Sequence, residues 1–183
     1  HGQALGKAVE TVLAGEGRQL SGTLGLAMAD VSLAFAPPPN RQTLERQKRS
    51  GSPRLRRRAE VLLKELTQNG RLRTTHPYPV QVIGFGDDLT LVAMASEVVV
   101  GYGLRIKKEL TGQAVWVAGY SNEASCYIPT AKVLAEGGYE GRANMYNTIF
   151  PGPWAPSIEE RIIEKVHHLV KEVRGVPEKH HKD

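Results

Sequence analysis

Val80, Val82 and Phe85 lead into Gly86-Asp87-Asp88, and Leu89-Thr90-Leu91-Val92-Ala93-Met94 follows at once. Two β-prone runs around three turn residues read as an antiparallel hairpin, the glycine and the aspartates supplying the turn chemistry. Turn chemistry accounts for both aspartates, so the sequence gives no reason to assign them to a metal. A helix over 98–110 comes next, although Val98, Val99, Val100 and Tyr102 are poor helix formers, so burial must hold it. Val115-Trp116-Val117-Ala118 is a further strand. A hairpin followed by a helix and another strand predicts a mixed α/β fold, a mixed sheet with packed helices.

The flanking segments extend this pattern. Ala4, Leu5, Ala8, Val9, Val12 and Leu13 recur at helical spacing until Gly15 and Gly17, and residues 24–35 alternate as a strand that Pro37-Pro38-Pro39 ends. A helix from about Leu44 is broken at Gly51-Ser52-Pro53, and a second runs from Leu55 to about Gln68 before Asn69-Gly70. Strands are expected at 79–85, 89–95, 114–119 and 144–149. Pro129-Thr130 starts a short helix to Glu136, and Ser157-Ile158-Glu159-Glu160 is a capping box for a last helix whose apolar face includes Ile158, Ile162, Val166, Leu169 and Val173. Adjacent His167 and His168 diverge on that helix and do not readily share a metal, and His180-His181 lie in a charged tail, 177–183.

A chain of 183 residues with 40% hydrophobic content suits one domain with a sizeable core. No apolar run reaches the length of a membrane span. The opening His1-Gly2-Gln3 reads as the start of an excised or processed piece. Cys126, the one cysteine, rules out an internal disulfide and reads as a small packed residue rather than a nucleophile. Of the net charge of +5, the local excess sits at Arg46, Lys48, Arg49, Arg54, Arg56, Arg57 and Arg58, with no acid among them. Without interleaved aromatics to stack bases, the run reads as a solvated basic face and not as a specific nucleic-acid site.

Function is sought in residues 119–141, GYSNEASCYIPTAKVLAEGGYEG, where a polar loop after a strand carries Tyr120, Tyr127 and Tyr139. Any one of these rings can simply fill the core, but three in one polar loop suggest a site. Glu97 is the second residue of interest. A carboxylate between an apolar strand and an apolar helical turn needs a partner, and a helix N-terminus, an arginine or a metal would each serve.

Taken together, VIGFGDDLTLVAMASEVVVGYGLRIKKEL, VWVAGYSNEASCYIPTAKVLAEGGYEG and FPGPWAPSIEERIIEKVHHLV resemble the C-terminal half of the catalytic domain of the neutral/alkaline non-lysosomal ceramidases. The resemblance implies that residues 1–176 are the C-terminal portion of a larger ceramidase-like catalytic domain. It also implies a zinc amidohydrolase that cleaves the N-acyl bond of ceramide or a similar lipid amide. By motif, Glu97 and Tyr127 correspond to zinc ligands, and Tyr139 to the phenol that stabilises the oxyanion. Asn122 would orient the loop or contact the substrate. The family's two histidine ligands belong to its N-terminal half, and His1, His76, His167, His168, His180 and His181 stand in no matching motif. Only half of a zinc site is therefore expected here, and a fragment inactive without the missing N-terminal half. Ile128-Pro129-Thr130 departs from the family pattern and leaves the substrate open between ceramide, another N-acyl amide and no turnover. The alternative is a non-catalytic domain or subunit that acts as an interaction module. Secretion or a periplasmic location is implied by the resemblance alone.

Overall fold

A computed structural model of the chain describes residues 1–49, 52–112 and 114–175. The tail, 177–183, lies outside the described residues. Four strands form a mixed sheet: β1 (Leu24–Ala34), β2 (Thr75–Phe85), β3 (Leu89–Met94) and, by its chain position after a two-residue strand β4 (Glu97–Val98), β5 (Ala114–Ala118). Their order is β1-β2-β3-β5, with β1 antiparallel to β2, β2 antiparallel to β3, and β3 parallel to β5. The parallel pair needs a crossover, and helix α4 (Val100–Glu109) supplies it. The mixed α/β reading of the sequence is therefore correct.

Strand β2 begins four residues before the expected start, because Pro77 and Pro79 do not break it. They pair with Ser32 and Asp30 of β1, while the β3 ladder begins only at Val80. Beyond that point β2 has a free edge, where a missing N–H costs nothing. Two further expectations fail. Residues 144–149 are not a strand: Ala143–Asn147 is a 3-10 helix. The capping box at Ser157 is not made, since Ser157 forms no side-chain cap and Glu159 and Glu160 bond to other elements.

The last helix, α7 (Ile158–Val173), is amphipathic, and its buried residues Ile158, Ile162, Ile163, Val166, Leu169 and Val170 cover one face of β1 and β2. Gly25 and Gly84 face each other across those strands, and a Cβ on either would meet Val173 Cγ1 at 2.8 and 2.6 Å. Their lack of side chains lets α7 lie against the sheet. The same core takes in Leu33, Tyr78, Val80, Val82, Val92, Met94, Tyr102 and Ile106. A smaller cluster of Leu44, Ala59, Leu62, Leu63 and Leu72 joins helices α2 (Arg41–Arg49) and α3 (Pro53–Asn69).

Among the described residues, the other face of the sheet is left partly open and is apolar. Leu26, Ile83, Leu91 and Trp116 form one cross-strand row, and Leu26 and Trp116 are 64% and 62% exposed. Helix α1 (Gly2–Leu13) also buries none of its residues. No helix among the described residues is long and apolar enough to cross a membrane.

Candidate functional site

The chain leaves β3 through Ser96, which is buried and adopts a left-handed φ of 59°. This reversal of direction turns Glu97 away from the main sheet into a second, two-stranded one. There β4 runs parallel to β6 (Tyr127–Ile128), with Glu97 directly opposite Tyr127. The ladder is closed by Glu97 N–H donating to the Cys126 carbonyl at 2.9 Å and Val99 N–H to the Ile128 carbonyl at 3.2 Å. Tyr120 is brought alongside because its N–H donates to the Ser96 carbonyl at 2.8 Å. Two carboxylate and phenol positions 30 residues apart in sequence thus become register neighbours.

Glu97, Tyr120, Tyr127 and Tyr139 line one cleft of about 200 Å³, together with Cys126 and Asn144. Hydrogen bonding towards the Glu97 carboxylate raises the hydroxyl pKa of both Tyr120 and Tyr127. That bond holds the phenol proton, assisted by partial desolvation and the carboxylate's charge, and pushes the Tyr127 hydroxyl up to about 12. Tyr120 shifts in the same direction for the same first cause. Tyr139 stands edge-on to Tyr127, ring centroids 5.7 Å apart at 75°. Burial pushes the Cys126 thiol up to about 12, so it is an inert wall residue, as the sequence suggested.

The glycines of the GGYEG segment explain how Tyr139 reaches the cleft. Gly137 and Gly138 both take positive φ, 78° and 71°, to turn the chain out of helix α5 (Ala131–Glu136) into the four-residue helix α6 (Gly138–Gly141). Gly141 then lies so close to the Val133 carbonyl that a Cβ would clash with it.

A residue that the sequence did not single out joins the two tyrosine segments. Asn144, buried at 4% exposure, accepts from the Tyr127 N–H at 3.2 Å and donates to the carbonyls of Tyr139 and Glu140, both at 2.9 Å. One side chain therefore sets the spacing of Tyr127 and Tyr139. Trp154 adds a second hold, its Nε1–H donating to the Tyr127 carbonyl at 3.0 Å while its ring stacks on Phe35 at 4.6 Å. The only sequence signal was an asparagine within a segment otherwise suited to a strand.

Asn122 is exposed, outside the cleft lining, in a left-handed turn with φ of 67°, a conformation that asparagine tolerates. The basic run also divides. Arg58 is buried at 3% exposure, donating to the carbonyls of Phe150 and Pro151 at 3.0 and 2.8 Å, so the run is not uniformly a solvated face.

As donors for a metal, the cleft offers the Glu97 carboxylate and, after loss of a proton, the Tyr127 phenol, with Tyr120 beside them. These oxygens suit a zinc ion chemically but fall short of a four-ligand set. Among the described residues no group of three or more His, Cys, Asp and Glu side chains could hold a metal. His76 bonds Glu123 at 3.1 Å and His167 bonds Glu109 at 2.7 Å.

No family model and no curated protein matches the chain. Among solved structures, the neutral ceramidase from Pseudomonas aeruginosa is similar over 86% of this chain, at 17% identity and a TM-score of 0.49. A ceramidase complexed with C2 is similar over 85%, at 16% identity and a TM-score of 0.47. This chain spans 30% and 31% of their lengths.

Proposed function

We propose that this chain supplies one half of a zinc-dependent amidohydrolase site, acting on the N-acyl bond of ceramide or a similar lipid amide. The observation that carries the reading is the convergence of Glu97, Tyr127 and Tyr139 in one cleft, the first two as register neighbours. Residues 1–176 are then the C-terminal portion of a larger catalytic domain, whose other half provides the nitrogen ligands.

In this reading Glu97 and Tyr127 hold the metal. When bound, zinc polarises the amide carbonyl and brings the pKa of a bound water towards neutrality. Tyr127 would hold the metal as its phenolate, its proton passing to solvent, and Glu97 would then serve as a ligand instead of as the acceptor of that proton. Tyr139, half exposed and unconstrained by a protein acceptor at its hydroxyl among the hydrogen bonds described, donates to the oxygen on which negative charge develops. Asn144 is a positioning residue, fixing the separation of the two phenols. Asn122 shapes the turn that carries Tyr120 rather than contacting substrate. By itself the chain is inactive, because two protein ligands compete poorly for zinc.

The partly open sheet face supports docking of the complementary half, since a row of large apolar side chains open to water costs free energy that association would recover. It equally favours the second reading, a non-catalytic module that keeps the fold and pairs with a partner.

The test is amide hydrolysis by this chain combined with its complementary half, using a short-chain ceramide. Zinc-dependent turnover that falls about 100-fold or more in Tyr139→Phe supports the reading. Assembly of the two halves without turnover, under zinc saturation, would favour the module.

A further inference from the structure

A second, larger cavity of about 590 Å³ adjoins the cleft, and Tyr139, Asn147 and Thr148 line both. Its far wall is the N-terminal part of α3, where Arg54, Arg57 and Arg58 fall on one face at i, i+3 and i+4. Among the described residues no carboxylate pairs with any of the three. Arg58 is buried, and its partners are neutral: the carbonyls of Phe150 and Pro151, and Gln47 Oε1 at 3.3 Å, with the Tyr146 ring 5.4 Å from its guanidinium carbon. Arg54 has a single long bond to Asn147 Oδ1 at 3.4 Å. A buried cation without a counter-charge is costly.

Helix α3 compounds the cost. Its first turn holds no acid, and it opens with Arg54, Arg56, Arg57 and Arg58 at the end where the dipole is positive. Local charge, helix polarity and burial all conflict at one place, and an anion in the cavity would relieve all three. Arg54 and Arg57, exposed at the mouth, have donors to spare for it.

We propose that this cavity is an oxyanion-binding subsite for the substrate, so that among the lipid amides of the proposed function the one preferred in the adjoining cleft carries a carboxylate or phosphate group, which ceramide itself lacks. The acyl-amide part of this assignment rests on the amidohydrolase reading; the anion site does not. A charged group seated against α3 would lie next to Tyr139, which borders both spaces, and would fix which end of an elongated amide enters the cleft.

Three probes test it on the full chain in metal-free buffer: N-octanoylglycine, its uncharged counterpart N-octanoylglycinamide, and inorganic phosphate. Binding is read by calorimetry at 50 and 500 mM salt. The expected result is that the anionic amide binds about tenfold or more tightly than the neutral one, that phosphate competes with it, and that salt erodes the preference. The doubly substituted Arg54→Gln/Arg57→Gln chain, which alters exposed residues only, should lose the preference while keeping its Tm and far-ultraviolet spectrum. Equal affinity for the two amides, or a preference that survives the double substitution, would overturn the proposal. Phosphate binding with no preference for the anionic amide would mark a free-phosphate site and overturn the substrate assignment. Because no metal is present, these results stand whether or not zinc binds, and their failure leaves the zinc test untouched.

Discussion

Replacing Glu97 with alanine should lower the pKa of Tyr127. In the intact cleft the phenol sits at about 12 against an ordinary 10.0, and the Glu97 hydrogen bond is the largest cause, followed by partial desolvation and the carboxylate charge. Glu97→Ala removes the first and third of these and opens the cleft to water, which weakens the second. Tyr127 should therefore fall by more than about 1 pH unit, towards the range of a free tyrosine. The assay is absorbance of tyrosinate between pH 8 and 13, taken as the difference between the chain and its Tyr127→Phe variant. Tyr120→Phe is placed in both backgrounds, because Tyr120 shares the same carboxylate. Glu97→Gln should give a smaller drop, since the amide oxygen still accepts the bond but carries no charge. A Tyr127 midpoint near 10 in the intact chain, or one unmoved by Glu97→Ala, would refute the geometry on which the metal assignment is built.

Other consequences can be checked by stability. Asn144→Ala leaves the Tyr127 N–H and the Tyr139 and Glu140 carbonyls without their partner and should cost about 2–3 kcal/mol by chemical denaturation, with Asn144→Asp costing at least as much, because its buried carboxylate turns an oxygen on two carbonyls. Tyr102→Phe removes the fully buried hydroxyl that donates to the Pro129 carbonyl at 3.2 Å, and should lower Tm by about 2–4 °C, for a loss of about 1 kcal/mol. Arg105 of α4 pairs with Glu159 and Glu160 of α7 and with Glu109 of its own helix, and its hydrogen bonds hold the Glu109 and Glu160 carboxyls below their ordinary 4.5. Carboxylates depressed in the folded state stabilise above the unfolded pKa, and that contribution is lost as pH falls through the folded one. The Tm advantage of the intact chain over Arg105→Met should accordingly be present at pH 7 and shrink below about pH 4.5.

The hairpin at Gly86-Asp87-Asp88 and the face of α7 were legible because each is specified locally, by turn chemistry and by a 3.6-residue period. Asp88 is a case in which the local reading was right but incomplete, since it also accepts from Arg18 at 2.6 Å and from Ser21. Long-range partners account for what was not legible. Ser157 is no capping residue because Arg105, 52 positions earlier, recruits Glu160, and the Ala131 N–H takes Glu159. The segment at 144–149 has strand composition, yet the Asn144 side chain binds the carbonyls of α6 and winds it into a 3-10 turn. Sequence placed Glu97 between a strand and a helix from residue 98, whereas the helix begins at Val100 and Glu97 pairs across a two-residue strand too short to carry any periodicity. At the site, Glu97 stood out by its apolar flanks and Tyr127 and Tyr139 as aromatics in a polar loop, while their roles came from motif resemblance and not from any local pattern. Tyr120 was noticed only as an aromatic in a polar loop, and Asn144 not at all.

The zinc affinity of this chain joined to its complementary half, measured by calorimetry alongside Glu97→Ala and Tyr127→Phe, tests the half-site most directly. One zinc per assembled domain, bound more tightly as pH rises because Tyr127 must lose a proton, and weakened by both substitutions, is the predicted result. Zinc that binds with the same affinity and the same pH dependence in both variants, or no zinc at all, would contradict it.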